Sequence, residues 1–277
     1  MSPLLQHLMP QRALASFAHC MASCEIPWIK NYLIRYFINR YPVNLNEAIE
    51  KNPYNYASFN HFFTRALDPK LRPITQGIHD LASPVDGCIS QLGVLDQNKI
   101  LQAKGFLYSV QDLLGGDATL AAPFINGSYL TAYLAPKDYH RVHMPMDGHL
   151  SQLIYISGNL FSVNPRTTST IPNIFTRNER VVALFNTSLG RVAVVLVGAM
   201  IVGSIEMISI GTVTPPHGNN INIWNYDDPI SLKKGEELGR FKLGSTVILL
   251  FEPNKVTWDP EMIANTGINM GQRLGSF

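Results

Sequence analysis

Two textures of hydrophobic and polar positions divide the chain. Up to about residue 70 the apolar residues recur at helical spacing. Between Arg12 and Cys24, Leu14, Phe17, Ala18 and Met21 fall on one helical face. Pro27 opens a second helix at a position where proline is tolerated, and Pro42 ends it. Within residues 28–41 the stripe is Ile29, Leu33, Tyr36 and Phe37, while Lys30, Arg35 and Arg40 mark the polar side. Asn44 followed by Glu47 has the form of a capping box for residues 45–50, and Ser58 can cap a short helix that clusters Phe59, Phe62 and Phe63.

From Pro73 onward the helical period is lost, and glycine, proline and β-branched residues recur at short intervals. The pattern predicts strands over residues 87–92, 129–134, 149–156, 180–184, 191–197, 201–210 and 246–251, with residues 104–114 a loop leading into a short helix. Short strands punctuated by turns predict an α+β protein, in which N-terminal helices cover a mostly antiparallel β barrel or sandwich. The expected division is a helical region, 1–70, and a β-rich domain, 71–277.

Composition narrows the class. The chain has 277 residues, 46% hydrophobic and 15% charged, enough for a sizeable core and too apolar for disorder. A formal net charge of +2 offers no basic field for nucleic acid. The three cysteines, Cys20, Cys24 and Cys88, do not form a disulfide framework and point to a reducing compartment. The first residues lack the apolar stretch of a secretory signal. The longest apolar run, 192–205, is valine-rich, broken by glycines and too short to span a bilayer as a helix. A soluble or peripheral protein is therefore expected. The aromatic and basic helix over 28–41 fits either packing on the core or lying on a membrane surface.

Candidate chemistry sits in three polar places. Ser83-Pro84-Val85-Asp86-Gly87 puts an aspartate at the mouth of a strand, where Asp-Gly is also an ordinary turn. Asp138-Tyr139-His140-Arg141-Val142-His143-Met144-Pro145 carries two histidines three apart. Gly244-Ser245-Thr246 precedes an apolar run. An acid, a histidine and a serine are the parts of an activated nucleophile. No Gly-x-Ser-x-Gly elbow is present, which disfavours an α/β hydrolase. Gly244 directly before Ser245 allows the strained geometry in which a serine attacks its own backbone, as well as one in which it attacks a foreign substrate. His140, His143 and His149 with Asp86 or Asp147 could instead be read as metal ligands, but the spacing matches no helical ligand pattern, and no metal is expected.

These residues, taken with Ser58-Phe59-Asn60-His61-Phe62-Phe63-Thr64-Arg65, Leu160-Phe161-Ser162-Val163-Asn164, Asn178-Glu179-Arg180 and Lys234-Gly235-Glu236-Glu237-Leu238-Gly239, form an ordered set. The set resembles the bacterial, membrane-associated, pyruvoyl-dependent phosphatidylserine decarboxylases over most of the chain. No reactive position departs from that pattern.

The resemblance implies a proenzyme that cuts itself between Gly244 and Ser245, with Asp86, His143 and Ser245 as the self-cleavage triad. Ser245 would become a covalently bound pyruvoyl group, the cofactor. Through a Schiff base with phosphatidylserine it would release CO2 and yield phosphatidylethanolamine. His140 matches the histidine of decarboxylation, as proton donor, and Phe161, Ser162 and Val163 match a segment lining the substrate pocket. The partners implied are phosphatidylserine in the membrane and the two fragments held together as a heterodimer. The frequent dimers of the family point to a dimer of such heterodimers. The location implied is peripheral, on the cytoplasmic side of the cell membrane, which favours the membrane-surface reading of residues 1–70. Three other readings remain at this point: a pyruvoyl decarboxylase of another amino-acid-derived substrate, a catalytically silent membrane-binding module, and a serine peptidase acting on other chains.

Overall fold

The computed structural model describes residues 11–199, 204–213, 221–242 and 245–277. Helix α1 spans Gln11–Ala22 and α2 spans Pro27–Arg40, with Pro27 at the first turn, where its missing N–H leaves no bond unmade. Helix α3, Phe59–Phe63, is capped by Ser58, whose Oγ accepts from the His61 N–H. The helices form where expected, but their buried faces are rotated. On α2 the buried residues are Lys30, Ile34 and Phe37. Tyr36 is instead 61% exposed and lines up with Trp28 and Tyr32 in an outward aromatic stripe. Phe17 on α1 also faces out. What selects the inner face is α3: Phe37 packs edge-on against Phe59, Phe62 and Phe63. Asn44 caps only one tight turn, Leu45–Glu47, by accepting from the Asn46 N–H, and the Glu47 carboxylate goes to Arg72 rather than closing a capping box.

Apart from short helices at Val110–Leu113, Ala118–Ala121, Pro165–Thr168 and Ile174–Arg177, the remainder is mostly strands, paired antiparallel in every described ladder. In chain order they are β1 (Asp80–Ala82), β2 (Gly87–Val94), β3 (Lys99–Ala103), β4 (Phe106–Ser109), β5 (Ser128–Leu134), β6 (Arg141–His143), β7 (Gly148–Ile156), β8 (Arg180–Thr187), β9 (Gly190–Gly198), β10 (Ile205–Met207), β11 (Gly211–Thr212), β12 (Ile221–Leu232), β13 (Glu237–Phe241), β14 (Ser245–Phe251), β15 (Thr257–Trp258), β16 (Gly267–Ile268) and β17 (Arg273–Ser276). One open eight-stranded sheet has the order β12-β7-β8-β9-β14-β5-β2-β16, and a four-stranded sheet has the order β11-β10-β13-β6. Strands β1, β17 and β15 form a third sheet, and β3 and β4 a hairpin. The described sheets are thus stacked layers, and none closes into a barrel.

Each face of the large sheet carries its own core. Val247, Leu249 and Phe251 of β14 join the cluster that includes Val142, Ile205, Leu238 and Phe241 of the smaller sheet. Ile248 and Leu250 join the opposite cluster with Ile100 and Tyr108 of the hairpin and the helix residues Ile174 and Phe175. Burial on both faces explains why β14 reads as an unbroken apolar run.

Candidate active site

Ser245 is the first residue of β14, in register with Leu134 on one side and Gly198 on the other. It is fully buried, and its Oγ has no hydrogen-bond partner among the described residues. A buried hydroxyl left unmatched costs about 1–3 kcal/mol, so its retention at this spot asks for a reason other than stability. Gly244 lies outside the described residues, as does Leu243.

The end of β5 leads directly from this point into the turn that carries His140. The Phe241 N–H donates to the His140 carbonyl at 2.9 Å, which places His140 beside the strand that precedes Ser245. The imidazole is fully buried, and no side chain bonds either ring nitrogen, though the backbone carbonyls of Pro136 and Ala135 lie close to them. It stacks on Phe63, with ring centroids 4.1 Å apart and planes inclined by 18°. Burial, reinforced by the nearby Arg65 charge, pushes its pKa down to about 3, so the ring is neutral at physiological pH.

His143 is held quite differently. Its Nδ1 donates to the Gly235 carbonyl at 2.8 Å, which leaves Nε2 to accept from the Tyr139 hydroxyl at 2.9 Å. Burial lowers its pKa, against the opposing pull of the Gly235 carbonyl. Asp86 precedes β2, next to Gly87, where any Cβ would lie 2.4 Å from the Tyr133 carbonyl oxygen. The Asp86 carboxylate takes three hydrogen bonds from Arg72, the shortest 2.7 Å, and a fourth from the Met270 N–H at 2.7 Å. Asp86 lies about two strand spacings from Ser245, roughly 10 Å. The fold thus gathers Asp86, His140, His143 and Ser245 at one end of the sheets, but no hydrogen bond among the described residues joins Asp86, His143 and Ser245 to one another.

Phe161, Ser162 and Val163 lie in a loop after β7, with Phe161 and Val163 buried. Asn178 ties this loop to the site. Its side chain accepts from the Phe161 N–H, donates to the Phe161 carbonyl at 2.7 Å and donates to the Gly198 carbonyl at 2.8 Å, opposite Ser245. Beside it lies a cavity of about 490 Å³ lined by Gly87, Tyr133, Ala135, Asp138, Pro165 and Thr168. A second cavity of about 430 Å³ lies across the Lys137-Asp138 turn, against Arg65, Arg72, Asp86 and Tyr139. Asp138 has its pKa raised, chiefly by burial. His149 and Asp147 are not part of this gathering: His149 pairs with Ser231, and Asp147 with Lys233 and Lys234.

Residues 59–276 match the family described as phosphatidylserine decarboxylase, and residues 2–42 match a model described as PSD. The chain is 49% identical over 272 residues to the phosphatidylserine decarboxylase proenzyme of Vibrio cholerae serotype O1, covering 97% of this chain and 95% of that one. It is 50% identical over 271 residues to the proenzyme of that name from Aliivibrio fischeri, covering 96% and 94%. The corresponding protein of Pseudomonas putida is 49% identical over 275 residues, covering 98% and 96%. The chain belongs to the phosphatidylserine decarboxylase family.

Within this member of the phosphatidylserine decarboxylase family, pattern reading missed the partners of the named residues. Arg72 on Asp86, Tyr139 on His143, Phe63 on His140 and Asn178 beneath Phe161 are all supplied by the fold. Tyr139, Phe63 and Asn178 lay inside quoted motifs, and their positions there were the only signal available. Among the described residues no helix is long and apolar enough to cross a membrane.

Proposed function

We propose that this chain is a precursor that cleaves its own Gly244-Ser245 bond, converts Ser245 into a pyruvoyl group and then decarboxylates phosphatidylserine to phosphatidylethanolamine. The observation that carries the reading is the buried, unpartnered Ser245 Oγ at the head of β14, in a chain matching phosphatidylserine decarboxylase proenzymes over nearly its whole length.

In the first stage Ser245 Oγ adds to the Gly244 carbonyl carbon, the peptide C–N bond breaks, and the hydroxyl proton ends on the freed amine. Asp86 and His143 serve this stage. His143 takes the proton, and for that Nε2 must exchange its bond from Tyr139. Asp86, fixed by Arg72 and the Met270 N–H, supplies a negative charge that favours the imidazolium. Elimination then breaks the Cβ–O ester bond of residue 245, releasing the Gly244 carboxylate and leaving dehydroalanine, whose imine tautomer takes up one water and loses ammonia to give the pyruvoyl group. The larger fragment ends at Gly244 and the smaller one is 245–277. Strand β14 stays locked between β5 and β9, so the two fragments remain one body.

A small keto group suits the place of Ser245, because Gly198 opposite has no side chain and the Oγ makes no protein hydrogen bond that the conversion would break. When formed, that group supplies a carbonyl that condenses with the substrate amine and withdraws electrons as CO2 leaves. His140, in the turn that follows the strand pairing with Ser245, holds and returns the proton needed at the substrate Cα. The Phe161–Val163 loop, anchored by Asn178, borders the headgroup.

A diacyl substrate stays in the bilayer, since exposing each CH2 costs about 0.8 kcal/mol. The stripe of Trp28, Tyr32 and Tyr36, 74%, 59% and 61% exposed, gives residues 1–70 a face suited to the headgroup boundary. This supports a peripheral position on the cytoplasmic side of the cell membrane. Purified protein incubated with phosphatidylserine vesicles should release CO2 and accumulate phosphatidylethanolamine, and Ser245→Ala should remain one inactive chain. Activity on soluble amino acids with none on vesicles would overturn the substrate assignment.

A further inference from the structure

Catalytic histidines are ordinarily oriented by a hydrogen bond on the nitrogen that is not reacting. No side chain bonds His140: both ring nitrogens are buried, with the backbone carbonyls of Pro136 and Ala135 close enough to favour its protonated form. Its aromatic contact is the face of Phe63. Phe63 is itself fully buried and gripped on other sides by Phe37, 5.7 Å away, and Phe59, 6.0 Å away. A ring so held cannot turn without repacking the three-helix corner, and it denies His140 rotation about χ2.

The two residues after Phe63 grip the same turn. The Thr64 carbonyl accepts from Arg141 Nε at 2.9 Å. Arg65 Nη2 donates to the Lys137 carbonyl at 2.9 Å and to the Asp138 carbonyl at 3.4 Å. Arg65 is only 3% exposed, its Nε and Nη1 have no partner, and the guanidinium lies over the Phe62 ring. The charge makes no direct ion pair among the described residues, although Asp86, Glu47 and Asp138 across the adjoining cavity and Tyr56 favour it, and it opposes a proton on His140. The other charged groups near this turn are engaged elsewhere. Arg141 pairs with Glu237, and the Asp138 carboxylate accepts from the Ala135 N–H. On the adjoining β13 segment Arg240 pairs with Glu237 and Lys242 with Glu206.

We infer that Phe63 and Arg65 are positioning residues for His140, Phe63 fixing the plane of the imidazole and Arg65 fixing the turn that carries it. In place of the usual carboxylate orienter, this site uses an aromatic face and a cation. That arrangement leaves neither imidazole nitrogen committed to another side chain. The inference rests on the reading of His140 as the turnover histidine.

The test compares Phe63→Leu, Phe63→Tyr, Arg65→Gln and His140→Ala, each assayed on phosphatidylserine vesicles per processed chain, with processing scored on denaturing gels. Phe63→Leu should lower kcat by about 10–100-fold with KM little changed, as expected for a displaced catalytic group, and Phe63→Tyr should restore most of it. In enzyme with labelled histidine, Arg65→Gln should move the His140 ring titration upward by about one pH unit or more. If Phe63→Leu does not fold, the Arg65→Gln titration and the Phe63→Tyr rate decide. An inactive His140→Ala beside unaltered Phe63→Leu rates and an unmoved titration would overturn this inference alone. A fully active His140→Ala would overturn the role of His140 and this inference with it.

Discussion

Two histidines three residues apart, His140 and His143, are housed in opposite ways. On an extended segment an odd spacing sends them to opposite faces. His143 has both nitrogens bonded, so the Gly235 carbonyl and the Tyr139 hydroxyl fix its tautomer and its orientation. His140 has no side-chain hydrogen-bond partner and lies flat on Phe63, with only the Pro136 and Ala135 backbone carbonyls beside its nitrogens. The difference matches two kinds of work. A group that acts once, on a bond of its own chain, can be fixed rigidly by polar bonds, as Asp86 separately is by Arg72. A group that must meet a substrate in every turnover needs nitrogens not committed to other side chains, in a shaped apolar seat.

The comparison breaks first at His140. Replacing it with alanine should leave self-cleavage intact and lower turnover per processed chain by about 10²–10⁴-fold, the usual range for losing a general acid or base. Gel-scored processing beside CO2 release checks this, and an unprocessed His140→Ala chain would place His140 on the wrong side of the divide. On the other side, Arg72→Met strips the buried Asp86 carboxylate of its counter-charge. Urea unfolding should show a loss of about 3–5 kcal/mol. A loss below 1 kcal/mol would mean that water replaces the guanidinium.

The housing of His140 also has a pH signature. Its folded pKa, about 3, lies below the usual 6.5. Between those values the unfolded chain binds the extra proton, so stability should fall as pH drops through that window, by up to about 1.4 kcal/mol per unit. His143, lowered in the same direction, adds to the slope. Urea midpoints at pH 7, 6 and 5 should decline less steeply in His140→Gln, and equal slopes would show that the ring titrates normally. The smallest effect belongs to Tyr139→Phe. Loss of one hydrogen bond to His143 should slow processing by about tenfold or less and leave turnover of processed chains unchanged. The reverse split would assign Tyr139 to the His140 side.

How much of this was legible follows from the range of each interaction. Strands β2, β5, β7, β8, β9 and β14 showed themselves through apolar runs bounded by turns. The expected strand over 201–210 shrinks to β10, followed by a turn, with 200–203 outside the described residues. Strand β12 escaped notice because Asn222, Asn225, Asp227, Asp228 and Pro229 are residues that sheets accept only at an edge, where it lies. The expected short helix within 104–114 forms at Val110–Leu113, but the expected loop before it contains β4 and the hairpin turn from β3, which Lys104 and Gly105 make with φ of 47° and 82°. The outward turn of Tyr36 could not be foreseen, because the inner face of α2 is chosen by α3 and not by its own period. Asp86, His140, His143 and Ser245 were named from their motifs, and the family carried their roles. Their orienting partners come from distant segments, so only the folded chain could pair Phe63 with His140 or Arg72 with Asp86.

The most direct test of the whole account is the intact mass of the purified protein. The account predicts two chains divided between Gly244 and Ser245, the smaller one covering 245–277 with a pyruvoyl group in place of its N-terminal serine. A single chain of full mass, with an unmodified serine at 245 and undiminished release of CO2 from phosphatidylserine, would contradict it.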